Sequence, residues 1–406
     1  MILTEKISRH NFRAFLWHAV FLAFAQNFMD VDTVIPAMVV EAGGGALHIG
    51  IMTAIMLGGS SFTQLFFAPL VSSVSYKKKL LLTGINLRVF SLIALAAVLF
   101  WINKHASHNA LWFIFLFISI FSFSGAFANI SYVDILGKSI NQDKRKMFFS
   151  ARQIISGIVV FSTAFLARKV LSGFDFPRNY SMIFLIGGSS LLIATAGFWS
   201  IRERVPSGTK VSGLKSFIDS MSSEIKNNKR LIYFLGFINT QGIVISFIPF
   251  VILYAKETFH TQATDTGIFL LFKVIGVVSM SFMVLLLNKK IKYNLLLYSN
   301  VLLSILLALF TMLIPDAHTL KFLFVLGGIA VSLYAITMNG VLLEISGNEN
   351  RALYAGFAGA GNILPAIFPL VAGGLISKFG YNVFFLIFIL IISCSVFFIY
   401  RIKCMK

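Results

Sequence analysis

Charge is scarce in this chain. Only 12% of its 406 residues are Asp, Glu, Lys or Arg, too few to coat a water-soluble globule of that length. Two cysteines, Cys394 and Cys404, lie near or past the end of the last apolar stretch, which excludes a disulfide framework and a cysteine metal site. A glycine-rich phosphate loop, paired catalytic carboxylates and His/Cys metal spacing are all missing from the sequence. The chain is therefore expected to be neither an enzyme nor the holder of a cofactor. Acid is scarcest, with 15 Asp and Glu against 34 Lys and Arg and a formal charge of +19. The basic residues are dispersed over short loops between apolar stretches, so they read as membrane topology signals and not as a nucleic-acid surface.

What the chain has instead is apolar length. Residues 12–40, 46–73, 79–102, 109–138, 148–172 and 180–202 form one set of six apolar stretches. Residues 230–256, 263–288, 293–314, 319–345, 353–376 and 380–402 form a second. Each supplies the ~20 residues a helix needs to cross ~30 Å of hydrocarbon. The alternation expected of a β-barrel is absent, so the sequence predicts an all-α polytopic membrane protein of twelve transmembrane helices. An even number places both termini on one side. Lys and Arg gather in alternate loops, at Lys77–Lys79, Arg202–Arg230 and Lys289–Lys292 among others, which predicts cytoplasmic termini in the cytoplasmic (inner) membrane. The first stretch is long and holds Asp30 and Asp32, so it reads as a span and not as a cleaved signal.

The charged segment in the middle divides the chain into an N-terminal six-helix bundle at 1–202, a cytoplasmic linker at 203–229 and a C-terminal six-helix bundle at 230–406. Within the linker Val211, Leu214, Phe217, Ile218, Met221 and Ile225 recur at helical spacing, which predicts an amphipathic surface helix. The halves correspond. Asp134 and Glu344 each end the fourth span of their half and are followed by Arg145 and Arg351, while Lys77–Lys79 and Lys289–Lys292 each join a second span to a third. Duplication on that scale builds two bundles around a midplane cavity, as alternating access requires.

Over essentially the whole chain these residues resemble the major facilitator superfamily, in an incompletely characterised bacterial-type branch. The ordered matches are Val34-Ile-Pro36 ending span 1, His48-Ile-Gly50 opening span 2, Gln64 to Pro69 closing it, Lys77–Lys79, Arg88 in span 3, and the Asp134 to Arg145 segment. The resemblance implies two bundles around a central cavity, a monomer, and cavity-lining roles for spans 7, 8 and 10. The superfamily's loop motif survives only in part, with Ser73 where the family aspartate would be. Phe121 stands where span 4 of proton antiporters would carry an arginine, which counts against drug/proton antiport.

An ionisable group in hydrocarbon costs at least ~2.5–3.5 kcal/mol, so each one here needs a partner, a wet cavity or a function. Lys273 lies ~14 Å into span 8 at 1.5 Å per residue, beyond the reach of its stem to either surface. It reads as a cavity ammonium for substrate or as half of an ion pair. Asp30 and Asp32, about 200° apart around a helix, are candidates for proton coupling, with Asp30 on the more polar side. Arg88 is expected to pair with Asp134. Asp134, Arg145 and Arg152 cluster at the ends of spans 4 and 5 as a gate or structural network, with Glu344 and Arg351 as their counterparts. Asn129, Asn239, Gln241 and Asn339 are candidate substrate contacts or interhelical hydrogen-bonders.

The expected function is secondary active transport of a small organic solute, with protons as coupling ion, an anionic or zwitterionic substrate, and membrane lipids as the other partner. Export of amphipathic drugs or metabolites, and a lipid flippase or non-transporting receptor on the same scaffold, stay open as alternatives.

Overall fold

The computed structural model describes residues 3–102, 107–206, 219, 222–287, 293–346 and 361–402. Residues 207–218 of the linker helix and Arg351 lie outside the described residues, as do the side chains of Arg145 and Glu344. Among the described residues the regular structure is entirely helical. A backbone in lipid finds no water to bond with, and a helix satisfies its N–H and C=O groups within one segment.

Ten apolar segments are long enough to cross a membrane, and the shorter Ala46–Gly59 opens a helix that runs on to Ser73. One of the ten, Ile363–Ile402, spans 40 residues and breaks at Gly380, which adopts φ 77° and ψ 178°. At 1.5 Å per residue an unbroken helix of that length would reach about 60 Å, twice the hydrocarbon thickness, so this segment is two spans. The expected twelve are therefore present: Glu5–Glu41, Ala46–Ser73, Lys78–Trp101, Ser107–Ser139, Gln142–Gly173 and Arg178–Ser200, then Lys229–Phe259, Ala263–Leu287, Tyr293–Leu313, Ala317–Ser346 and the two within Ile363–Ile402. Span 10 is capped from its preceding loop. Asp316 accepts the Thr319 N–H at 2.8 Å, and that bond holds its carboxyl below the usual range.

Spans 1 and 7 are not continuous helices. Span 1 runs as Glu5–Gln26, a 3-10 turn at Asn27–Met29, irregular backbone at 30–33, and a second helix at Val34–Glu41. Span 7 runs as Lys229–Gln241, a 3-10 turn at Gly242–Ser246, and Phe247–Phe259. In both, a proline is the third residue of the second helix, in Val34-Ile35-Pro36 and Phe247-Ile248-Pro249. Proline has no N–H, and its ring crowds the carbonyl four residues earlier, here Asp32 or Ile245. Each proline weakens the turn before it, and the break falls there.

Two compact units emerge from the packing. The first comprises Met1–Asp30 and Gly59–Ile218, and the second comprises Val31–Gly58 and Asp219–Lys406. One division falls in the break of span 1. Residues 31–58, which the sequence assigns to the first bundle, pack with the second unit.

Within the second unit spans 8 and 10 cross at two glycines. A Cβ added at Gly276 would overlap the Val325 carbonyl oxygen, and one at Gly328 the carbonyl oxygen of Lys273. Small residues let the two backbones touch. Gly276→Val and Gly328→Val should each cost at least about 1–3 kcal/mol through overpacking. Gly374→Ala, where an added Cβ meets nothing within 4 Å, should leave thermal stability in detergent unchanged or slightly raised.

Candidate functional site

Lys273 is the eleventh residue of span 8, about 15 Å from its start at Ala263 and 6% exposed. Its ammonium donates to Asp32 at 2.7 Å, and the two side chains are 8% and 17% exposed. An ion pair so far from water is held by short charge-assisted bonds, and removal of one partner costs about 3–5 kcal/mol because the other charge is stranded. The sequence points to Asp30 as the more polar position and as the neighbour of Lys273. The structure gives Lys273 to Asp32. The angular argument assumed a helix, whereas Asp30 sits at φ −65°, ψ 122° and the chain is irregular through Thr33. Asp30 belongs to the first unit and Asp32 to the second.

Other bonds anchor the two sides of the break. In the first unit Asn27, in the 3-10 turn, donates to the Thr163 hydroxyl of span 5 at 2.9 Å. In the second, Lys256 of span 7 pairs at 2.8 Å with Glu41, which ends span 1. Both sides of the break are thus tied to other helices.

Two of the four amides expected as substrate contacts are engaged between helices. Asn239 donates to the Gly361 carbonyl at 2.6 Å and accepts the Leu364 N–H at 2.8 Å, tying span 7 to the start of span 11. Gln241 is fully buried and donates to the Ser304 hydroxyl of span 9 at 2.9 Å. Its carbonyl oxygen has no hydrogen-bond partner. Asn339 bonds back to Ala335 in its own helix and is exposed, and Asn129 is exposed on span 4.

At the end of the first unit that carries the N-terminus, charges form a chain. Asp134 of span 4 lies 3.1 Å from Lys77 and 2.8 Å from Lys138, and Lys138 lies 2.8 Å from Glu203. The two oxygens of Glu203 also accept the backbone N–H groups of Lys77 and Lys78, at 2.8 Å each. Span 3 has no capping side chain of its own, so a carboxylate just past the end of span 6 satisfies its orphan donors and meets its positive dipole end.

The expected Arg88–Asp134 pair does not form. Spans 3 and 4 are antiparallel with Gly84 against Ser124 and Ala128, so Lys77 falls at the level of Asp134 and Arg88 at the level of Phe121. The Arg88 guanidinium lies 4.1 Å over the Phe121 ring, and its Nε has no hydrogen bond. Arg152 of span 5 donates to the Tyr132 hydroxyl at 3.3 Å and does not join the Asp134 network. Lys77, Lys138 and Glu203 are the members that sequence reasoning missed. Their signal was an acid between Arg202 and Arg204 and a lysine four residues after Asp134.

The family model of the Major Facilitator Superfamily matches residues 16–322. No curated protein matches the chain in sequence. Among solved structures, the nucleoside transporter NupG is similar at 15% identity, covering 97% of this chain and 98% of its own, with a TM-score of 0.65. A POT family transporter in complex with a thioalcohol-conjugated peptide is similar at 13% identity over 97% and 96%, with a TM-score of 0.69. A POT family transporter in complex with 5-aminolevulinic acid matches at 13% identity over 97% and 96%, with a TM-score of 0.67. At these identities the likeness is one of fold.

Glu203→Ala should lower stability by about 1–3 kcal/mol, since it leaves buried N–H donors unsatisfied. Glu203→Gln, which keeps one acceptor oxygen, should cost less. Thermal melts of the detergent-purified variants measure both. Equal melting of the alanine variant and wild type would show that the cap contributes nothing.

Proposed function

Because the chain belongs to the major facilitator superfamily, we propose that it is a proton-coupled secondary transporter of a small organic solute, in which the Asp32–Lys273 pair is the coupling element. The observation that supports this reading is a largely buried ion pair placed where span 1 is broken. Ionisable groups in such positions mark ion and proton pathways, and broken spans at corresponding places of two repeats mark transporter binding regions.

The chemistry of the pair gives the coupling its sense. Protonation of Asp32 removes the negative charge and releases the Lys273 ammonium. Loss of that proton on the other side of the membrane restores the pair. Each cycle then carries a proton and exchanges one arrangement of the irregular segment 30–33 for another. The concentration of Lys and Arg in alternate loops supports cytoplasmic termini in the cytoplasmic membrane, and a monomer is part of the same proposal. The solute in this reading is anionic or zwitterionic.

Proteoliposomes containing a trapped pH dye test the reading, with anionic, zwitterionic, neutral and cationic metabolites offered in turn. A metabolite that moves protons through the wild type should move none through Asp32→Asn, while its gradient-free exchange persists. Asp30→Asn should keep proton movement. Undiminished proton movement in Asp32→Asn would overturn the coupling role.

A further inference from the structure

Four lysines within or bordering the described spans pair with carboxylates: Lys77, Lys138, Lys256 and Lys273 each lie within 3.1 Å of one. Two arginines of the first unit, Arg88 and Arg152, have no carboxylate within ion-pair distance among the described residues. Both lie near enough to His18 for their charge to act there. Arg88 is covered by Phe121. Arg152 is half-buried, and its contacts are the Tyr132 hydroxyl at 3.3 Å and the Tyr132 ring, whose centroid is 6.0 Å away.

Tyr132 is held from behind by an aromatic cluster. Phe15 meets it edge-on at 5.4 Å and Phe198 lies at 5.9 Å, and both are fully buried. That packing fixes the ring and aims its hydroxyl at Arg152. Gly125, Asn129 and Tyr132 are spaced four and three apart and share one face of span 4. An added Cβ on Gly125 meets nothing within 4 Å, and Asn129 is exposed, so this face looks onto open space. An amide and a guanidinium turned to lipid would each be costly, which makes that space a wet one.

We propose that Arg152, with Tyr132 and Asn129, receives the carboxylate or phosphate group of the transported solute on this face of the first unit. The proposal rests on the transport reading and moves the anion anchor away from Lys273, whose charge Asp32 already neutralises. A guanidinium presents a planar fork of donors that matches a carboxylate or phosphate bidentately. The Tyr132 hydroxyl and the Asn129 amide add neutral donors beside it, and Gly125 leaves room for the rest of the solute.

Thermal stabilisation of the detergent-purified protein by inorganic phosphate, succinate, glutamate and neutral mannitol provides the test, because a ligand of the native state raises its apparent stability. The account expects at least one anion, and not mannitol, to stabilise the wild type. Its apparent Kd should weaken about tenfold or more in Arg152→Gln, less in Arg152→Lys, and measurably in Tyr132→Phe, which keeps the ring packing. Lys273→Gln should retain the anion response. The absence of any anion response, retention of it in Arg152→Gln, or its loss only in Lys273→Gln would each overturn the proposal. A short-chain phosphatidylglycerol that stabilises through Arg152 while soluble anions do not would mark a lipid headgroup site and overturn it too. The readout needs no gradient, so failure of proton coupling leaves it unmoved.

Discussion

Pro36 has no N–H to donate, and its ring crowds the carbonyl of Asp32, so a regular helix is disfavoured there and span 1 breaks. The irregular residues 30–33 that result carry a carboxylate into the middle of the membrane, where Lys273 meets it at 2.7 Å. Neither charge is tolerable there alone. The break makes the pair possible, and the pair in turn fixes the irregular segment to span 8. Span 8 is itself pressed against span 10 at Gly276 and Gly328, the second of which touches the Lys273 backbone. The position of the ammonium is therefore set by backbone packing as well as by its partner.

The same constraint, that charge in a low-dielectric medium needs compensation, is met in different ways along the chain. Ammonium groups go to carboxylates, singly at Asp32 and Glu41 and as a chain through Asp134 and Glu203. Two guanidinium groups lie over aromatic faces instead, Arg88 over Phe121 and Arg401 over Phe397. An arginine is more weakly hydrated and stacks on rings, so it can be held without an acid. This leaves Arg88 and Arg152 of the first unit without a carboxylate among the described residues, whereas Lys273 of the second has Asp32.

The twelve spans were legible because lipid demands long apolar stretches and the composition shows them directly. The depth of Lys273 was legible for the same reason. Its partner was not, since the choice between Asp30 and Asp32 turned on a helical angle in a segment that is not helical. The shared dipeptides Ile35-Pro36 and Ile248-Pro249 mark both breaks, around Asp32 and Ile245, four residues before each proline. The partner of Asp134 was missed because the register of spans 3 and 4 depends on Gly84 lying against Ala128, a contact with no signature in either span alone. Glu203 was hidden among topology-determining arginines.

A double-mutant cycle of Asp32→Asn and Lys273→Gln on thermal stability is the measurement closest to the centre of this account. If the two side chains form a buried pair that holds the irregular segment to span 8, each single change strands the other charge, and the double variant recovers a coupling energy of about 1–3 kcal/mol. Effects that add within about 0.3–0.5 kcal/mol would mean that the two residues do not interact, and the coupling mechanism built on them would fall.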